Sequence, residues 1–273
     1  MPDPHLPDRP AAPRPKYPPP FDMFLSVSGS IFFGWPRRSI AYDATDVLNR
    51  HTPRPIIQGV EHIPATGAFL IVANHHDRPD MWIGWVGALI TEAVNQVRPA
   101  RTPIRIMVTD AQRITLFGRE RTIPLSRWFL GRVARFWEML PIAANPGDTT
   151  HHAATLRQAL GVLRQGLPVL FFPEGERGNA YALIEALPGT GTFIALASRR
   201  AVILPCAFWE DGEQLHGQIA PPITISQRDD AAVREQVMTA IGRMLPSSMW
   251  GAYAAPIAAV AGASQSAEKS MRD

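Results

Sequence analysis

Cysteine is almost missing from this 273-residue chain, with Cys206 as the only one. No intrachain disulfide can form, so a disulfide-stapled extracellular scaffold is excluded and a reducing, cytosolic setting is expected. Lysine is nearly missing too. Of 27 basic residues only Lys16 and Lys269 are lysines, leaving 25 arginines; against 24 acidic residues the net charge is +3. So small a charge, without a concentrated basic patch, predicts no nucleic-acid partner. No stretch reaches the ~20 consecutive apolar residues of a spanning helix. The nearest, Phe21 to Trp35, is interrupted by Asp22, three serines and two glycines. A secretory signal is not visible either, since nine of the first twenty residues are prolines and no apolar core follows a basic start. The chain also lacks the G-x-S-x-G elbow of serine hydrolases and the HExxH and CxxC spacings of common zinc sites. No metal and no bound cofactor are therefore predicted.

What remains is an ordinary globular composition, 46% apolar and 19% charged. Residues 1–20 are too rich in proline to pack and read as a disordered leader. Residues 261–273 read as a frayed tail. Between them apolar strands alternate with helical patterns. Ala68 to Ala73, Ile104 to Val108, Leu167 to Phe172 and Ala201 to Ala207 read as buried strands. A helix is expected from about Pro79 through Trp82, Val86, Leu89 and Ile90. Another starts near Asp148, carries Leu156, Leu160 and Leu163 on one face and stops at Gly166; a third spans about Thr192 to Ser198. The alternation predicts an α/β fold, with a mainly parallel central sheet flanked by helices in a single domain over 51–260. In such sheets chemistry collects at the carboxyl ends of the strands.

Two polar clusters fall at predicted strand ends. The first is Asn74-His75-His76-Asp77-Arg78-Pro79-Asp80. A turn opening into a helix can return the Asp80 carboxylate to the His75 imidazole. A carboxylate on one ring nitrogen makes the other a better base. Alone, the cluster reads equally as a solvated loop, or as metal ligands hampered by the adjacency of two histidines. The second is Phe171-Phe172-Pro173-Glu174-Gly175-Glu176-Arg177-Gly178-Asn179, where an arginine between glycines suits a forked grip on a phosphate or carboxylate. Alone, it reads equally as a structural turn.

Together the clusters resemble a known pair. Asn74-His75 with Asp80 is similar to the NHx4D motif, and Phe172-Pro173-Glu174-Gly175 with Arg177 to the FPEGTR motif, of the glycerolipid acyltransferases, the lysophosphatidate and glycerol-3-phosphate type. Their separation of about one hundred residues fits that family. Gly59-Val60-Glu61-His62-Ile63-Pro64 resembles the family's GxENIP lead-in, Pro188 to Phe193 its KxGxxxxA helix entry, and Val202 to Ala207 its VPVxP strand. His75 to Asp80 also spells the HHxxxD of chloramphenicol acetyltransferases and condensation domains, but Met81 replaces the glycine usual there and those proteins lack the second element.

The resemblance implies a direct acyl transfer from acyl-CoA or acyl carrier protein to the hydroxyl of a lysolipid or related polar lipid. His75 would be the base and Asp80 its partner. Asn74, Glu174, Gly175 and Arg177 would bind substrate, with Glu174, Gly175 and Arg177 on the acceptor headgroup. Transfer to an amine or another non-phosphate acceptor, and a non-catalytic lipid-binding role, are the alternatives. Two departures bear on the acceptor: Glu176 stands where the family has threonine, and Ala144 where an arginine follows a strand reading IPVDR, here Leu140 to Asn145. Arg105, Arg132 or Arg135 is a candidate to replace that arginine. Fatty substrates imply a membrane surface. Residues 21–50 read as an interfacial helical segment with Arg37 and Arg38 as its basic flank, and Trp82, Trp85 and the stretch Arg127 to Trp137 add aromatic and arginine character. Peripheral attachment to the cytoplasmic face of the cell membrane is the expectation.

Overall fold

A computed structural model describes residues 17–33, 35, 39–78, 81–98, 104–111, 113–116, 119–144, 148–175 and 178–270. Arg37, Arg38, Asp80, Glu176 and Arg177 lie outside the described residues.

The centre of the sheet is the run FLIVA, strand β2 (Phe69–Ala73), in which every residue is buried. A strand covered on both faces needs apolar side chains at consecutive positions. Their period of two then assigns them to layers. Phe69, Ile71 and Ala73 turn to a core shared with helices α1 (Phe21–Phe33), α2 (Ile40–Leu48), α3 (Gly84–Val97) and α4 (Ser126–Phe136). Leu70 and Val72 turn to a core shared with α5 (Thr149–Arg164), α6 (Thr190–Ala197), α7 (Asp230–Gly242) and α8 (Ala254–Ser270).

Around β2 lie β1 (Ile56–Gln58), β3 (Arg105–Thr109), β6 (Leu140–Ile142), β7 (Val169–Phe171), β8 (Val202–Asp211) and β9 (Gln214–Ile219), in the order β1-β9-β8-β2-β7-β3-β6. Every pairing is parallel except the β8–β9 hairpin. Strands β4 (Arg113–Leu116) and β5 (Arg119–Thr122) form a separate antiparallel pair. The α/β expectation and its mainly parallel sheet hold.

Local signals explain several boundaries. The Asp148 side chain accepts from the His151 N–H at 3.0 Å and starts α5. Gly166, at φ +80°, ends the turn after it. Other boundaries depart from the sequence reading. Helix α3 starts at Gly84 rather than near Pro79. The leader is ordered from Tyr17 onward: Tyr17 is fully buried, its hydroxyl donates to the Glu213 carbonyl at 2.5 Å, and its ring stacks on His51 at 4.2 Å. An aromatic ring with a reachable hydroxyl partner outweighs the proline content there. The expected tail is helical through Ser270, because alanine-rich sequence favours helix. Residues 21–50 form two helices with different surroundings. Asp43, Ala44, Val47 and Leu48 of α2 are buried, so one face of α2 belongs to the core.

Candidate active site

Register brings the two sequence clusters together. Strand β2 pairs with β7 through Leu70 with Val169, Ile71 with Leu170 and Val72 with Phe171. Three residues beyond the last pair, His75 therefore stands beside Glu174. The His75 N–H donates to Glu174 Oε2 at 2.7 Å, and the Ile184 N–H donates to Oε1 at 2.8 Å. Glu174 is fully buried, and burial pushes its carboxyl up to about 7, against the pull of those two amides. Its place is that of a clasp between the loops, with both oxygens turned to backbone rather than outward. Asn74 has a similar place on the other side of β2. Its Nδ2 donates to the Phe208 carbonyl at 3.0 Å and its Oδ1 accepts from the Phe208 N–H at 2.8 Å, tying the loop to β8.

Glycine is needed twice in the second loop. Gly175 has φ +63°, and a Cβ there would lie 2.7 Å from Leu187 Cδ1. A Cβ on Gly178 would lie 2.4 Å from His75 Cβ and 3.0 Å from the His75 carbonyl oxygen, so only glycine lets the loop lie against the histidine. The His75 ring stands edge-on to Phe172, with centroids 5.2 Å apart. Its Nδ1 is buried and has no hydrogen-bond partner among the described residues. Burial pushes the imidazole down to about 4, with the nearby Gly178 backbone opposing part of that shift. The ring is thus neutral near pH 7, with a nitrogen lone pair free to take a proton.

A second polar group supports the first loop from behind. The Arg78 guanidinium donates to both Glu210 oxygens, at 2.9 and 2.8 Å, and His76 Nε2 lies 3.6 Å from the same carboxylate. Burial alone would raise the Glu210 carboxyl, but His76 and Arg78 outweigh it and hold it at about 2. The loop's exit is pinned by the Trp82 N–H, which donates to the Tyr17 carbonyl at 2.9 Å.

His75, Phe172 and Gly175 open onto a cavity of about 660 Å³. The rest of its wall is largely apolar and comes from residues between Met23 and Thr190, including Met23 of α1, Val47 of α2, Ala88 of α3, Met107 of β3 and Val133 of α4. Asp43, which accepts from Trp137 Nε1 at 3.0 Å, is the one carboxylate of that wall among the described residues. Of the aromatic residues expected at a membrane, Trp85 and Trp137 are core instead, while Trp128 is half exposed.

Ala144 lines the cavity, and its backbone is held by an acid outside that wall. The Ala144 N–H donates to Asp110 Oδ1 at 2.9 Å, and Asp110 is buried. Neither Arg105, Arg132 nor Arg135 lines the cavity. Arg105 begins β3 and pairs with Glu138, while Arg132 and Arg135 lie in a different pocket, between α1 and α4. Sequence reasoning gave no role to Phe172, Gly178, Arg78 or Glu210. For Gly178 the signal was present in the two glycines flanking Arg177. For Glu210, 132 residues from Arg78, there was none.

Residues 54–209 match the model of a family described as Acyltransferase. No curated protein matches the chain in sequence. Among solved structures the chain is similar to the 1-acyl-sn-glycerophosphate (LPA) acyltransferase PlsC from Thermotoga maritima, at 17% identity and a TM-score of 0.54, over 82% of this chain and 90% of that one.

Proposed function

The chain belongs to the acyltransferase family, and from that premise we propose that it moves a fatty acyl group from acyl-CoA or acyl carrier protein to the hydroxyl of a lysolipid or related glycerolipid-type acceptor. The observation that carries this reading is a neutral, buried imidazole in the wall of a largely apolar cavity of about 660 Å³. That volume falls within the ~300–1,000 Å³ of pockets that enclose small ligands, and its apolar wall suits a hydrocarbon chain. The fold likeness to a lysophosphatidate acyltransferase agrees with a lipid acceptor.

In this reading His75 takes the acceptor's hydroxyl proton as the oxygen attacks the thioester carbonyl. The new ester C–O bond forms, the C–S bond breaks, and the proton held by His75 passes to the departing thiolate. Asp80 is the carboxylate for His75. The orphaned Nδ1 supports this pairing, since a carboxylate there fixes the tautomer that leaves Nε2 as base. Arg177 remains the proposed grip on the acceptor. Ala144, which lines the cavity where the resemblance expects an arginine, favours a headgroup with less negative charge than a phosphomonoester, or an amine.

Peripheral attachment to a membrane belongs to the same reading. No helix among the described residues is long and apolar enough to cross a membrane. The outer sides of α1 and α4 nevertheless expose Phe21, Leu25, Phe33, Trp35, Leu125 and Trp128 together with arginines, a composition suited to headgroup depth. The deciding experiment supplies labelled long-chain acyl-CoA or acyl carrier protein with a panel of phosphate-bearing, zwitterionic and amine-bearing acceptors and resolves the products. Acylated product that disappears in His75→Ala supports the reading; no product with any acceptor, at wild-type fold, rejects it.

A further inference from the structure

Helix α4 separates two cavities. Leu130, Val133, Ala134 and Trp137 face the large one. Arg132 and Arg135, three residues apart and so on one face, line a smaller pocket of about 260 Å³ with Phe136 and with Ser30 and Ile31 of α1. The sequence of α4, SRWFLGRVARF, holds three arginines and no acid. Arg127 lies 3.2 Å from Asp110, whereas no ion pair engages Arg132 or Arg135 among the described residues. Arg132 Nε is buried without a hydrogen-bond partner, and its guanidinium lies over the Trp128 ring at 4.6 Å. Arg135 Nε donates to the Gly131 carbonyl at 3.1 Å, leaving its terminal nitrogens for another acceptor.

Two guanidiniums with no ion pair among the described residues, one of them with a buried, unpaired N–H, place donors for an anion in one pocket. An orphaned donor costs the desolvation of that group, and paired arginine forks match phosphate oxygens. The surroundings indicate what carries the anion. Phe32 stacks on Trp128 at 5.5 Å, and Phe33 and Leu125 beside these rings are 77% and 78% exposed. An aromatic and apolar surface around a basic pocket is the arrangement of a helix lying at the headgroup level of a bilayer.

We propose that the α1–α4 pocket binds a phosphate group, carried by a membrane lipid headgroup, on the side of α4 away from the acyl cavity. The carrier rests on the membrane reading above; the phosphate chemistry does not. The test measures flotation of the full chain with phosphatidylcholine vesicles and with vesicles also containing phosphatidylglycerol, for wild type, R132Q/R135Q and R132K/R135K. In parallel, inorganic phosphate is titrated without vesicles while tryptophan fluorescence follows Trp128. The glutamine pair is expected to lower binding to the anionic vesicles by about thirtyfold, the attraction of an anionic surface for two basic side chains. The lysine pair keeps the charge but loses the fork, so its binding also drops. Wild-type binding by either pair, at unchanged thermal midpoint, overturns the pocket. If inorganic phosphate saturates the fluorescence change and displaces vesicles, the site stands and its lipid carrier falls. If wild type binds no vesicle, the membrane reading fails by itself. A phosphate response lost in R132Q/R135Q then still supports the site, and its absence rejects it.

Discussion

His75 and Glu174 are both buried, and burial acts on them in opposite directions because one loses charge by releasing a proton and the other by gaining one. His75 sits near 4 rather than 6.5, and Glu174 near 7 rather than 4.5. For the proposed base, activity in the free enzyme is present above its folded pKa and lost as pH falls through about 4. In a kcat/KM profile, an acidic limb nearer the ordinary histidine value would show the Asp80 carboxylate offsetting the burial, and an acidic limb unchanged in His75→Ala would reject the assignment. Stability follows from proton counting. Unfolded His75 binds more protons than folded between 4 and 6.5, so its contribution is lost as pH falls through that window. Folded Glu174 binds more protons than unfolded between 4.5 and 7, so its contribution is lost as pH rises through that window. Between 6.5 and 8 only the Glu174 term remains, and urea midpoints are expected to decline there in wild type and stay level in Glu174→Gln. That amide keeps one acceptor for two backbone donors, so the substitution also costs about 1–3 kcal/mol, measurable at pH 6.

At the scale of elements, the β2–β7 register and the Asn74 hydrogen bonds to Phe208 of β8 hold the His75 loop from two sides. Gly178→Ala places a methyl where the His75 backbone and Cβ already are. Turnover is expected to drop at least tenfold, because a shift of about 1 Å at a catalytic group costs up to 10² in rate. Secondary structure by circular dichroism should be retained. The leader acts at the same scale. Tyr17→Ala empties a fully buried aromatic site and is expected to cost about 3–5 kcal/mol. Tyr17→Phe removes only the hydroxyl bond to Glu213 and is expected to cost about 1 kcal/mol. Denaturant titration separates the two, and equal costs would show the packing of the ring to be unimportant.

For the whole molecule, the four helices on one side of the sheet do two jobs. Their inner faces form the wall of the large cavity and the outer faces of α1 and α4 form the apolar, arginine-bearing surface. If that cavity holds the acyl chain, narrowing it changes chain-length preference without touching His75. Ala88→Phe, in its wall, is expected to shift preference toward shorter acyl donors by several-fold in kcat/KM. Chain-length competition assays check this, and an unchanged preference would place the acyl group elsewhere.

Much was already determined by the order of residues. FLIVA specifies a doubly buried strand at any position in a parallel sheet, Asp148 and Gly166 start and stop α5 through local hydrogen bonds and φ, and the two short clusters with their spacing point to an acyltransferase. Local pattern reaches only a few residues along the chain, however, and the properties that matter for the site are set by distant partners. Glu174 read as a headgroup ligand until its two oxygens were found on the amides of His75 and Ile184. Arg132 and Arg135 read as substitutes for a missing phosphate ligand until the helix turned them away from the cavity. Tyr17 lay in a segment whose composition argues against packing, yet a hairpin turn 196 residues later supplies its partner. Which way a side chain points, and whether water reaches it, depends on the packing of the whole chain, and so the tertiary structure alone decided which groups are clasps and which stand free to react.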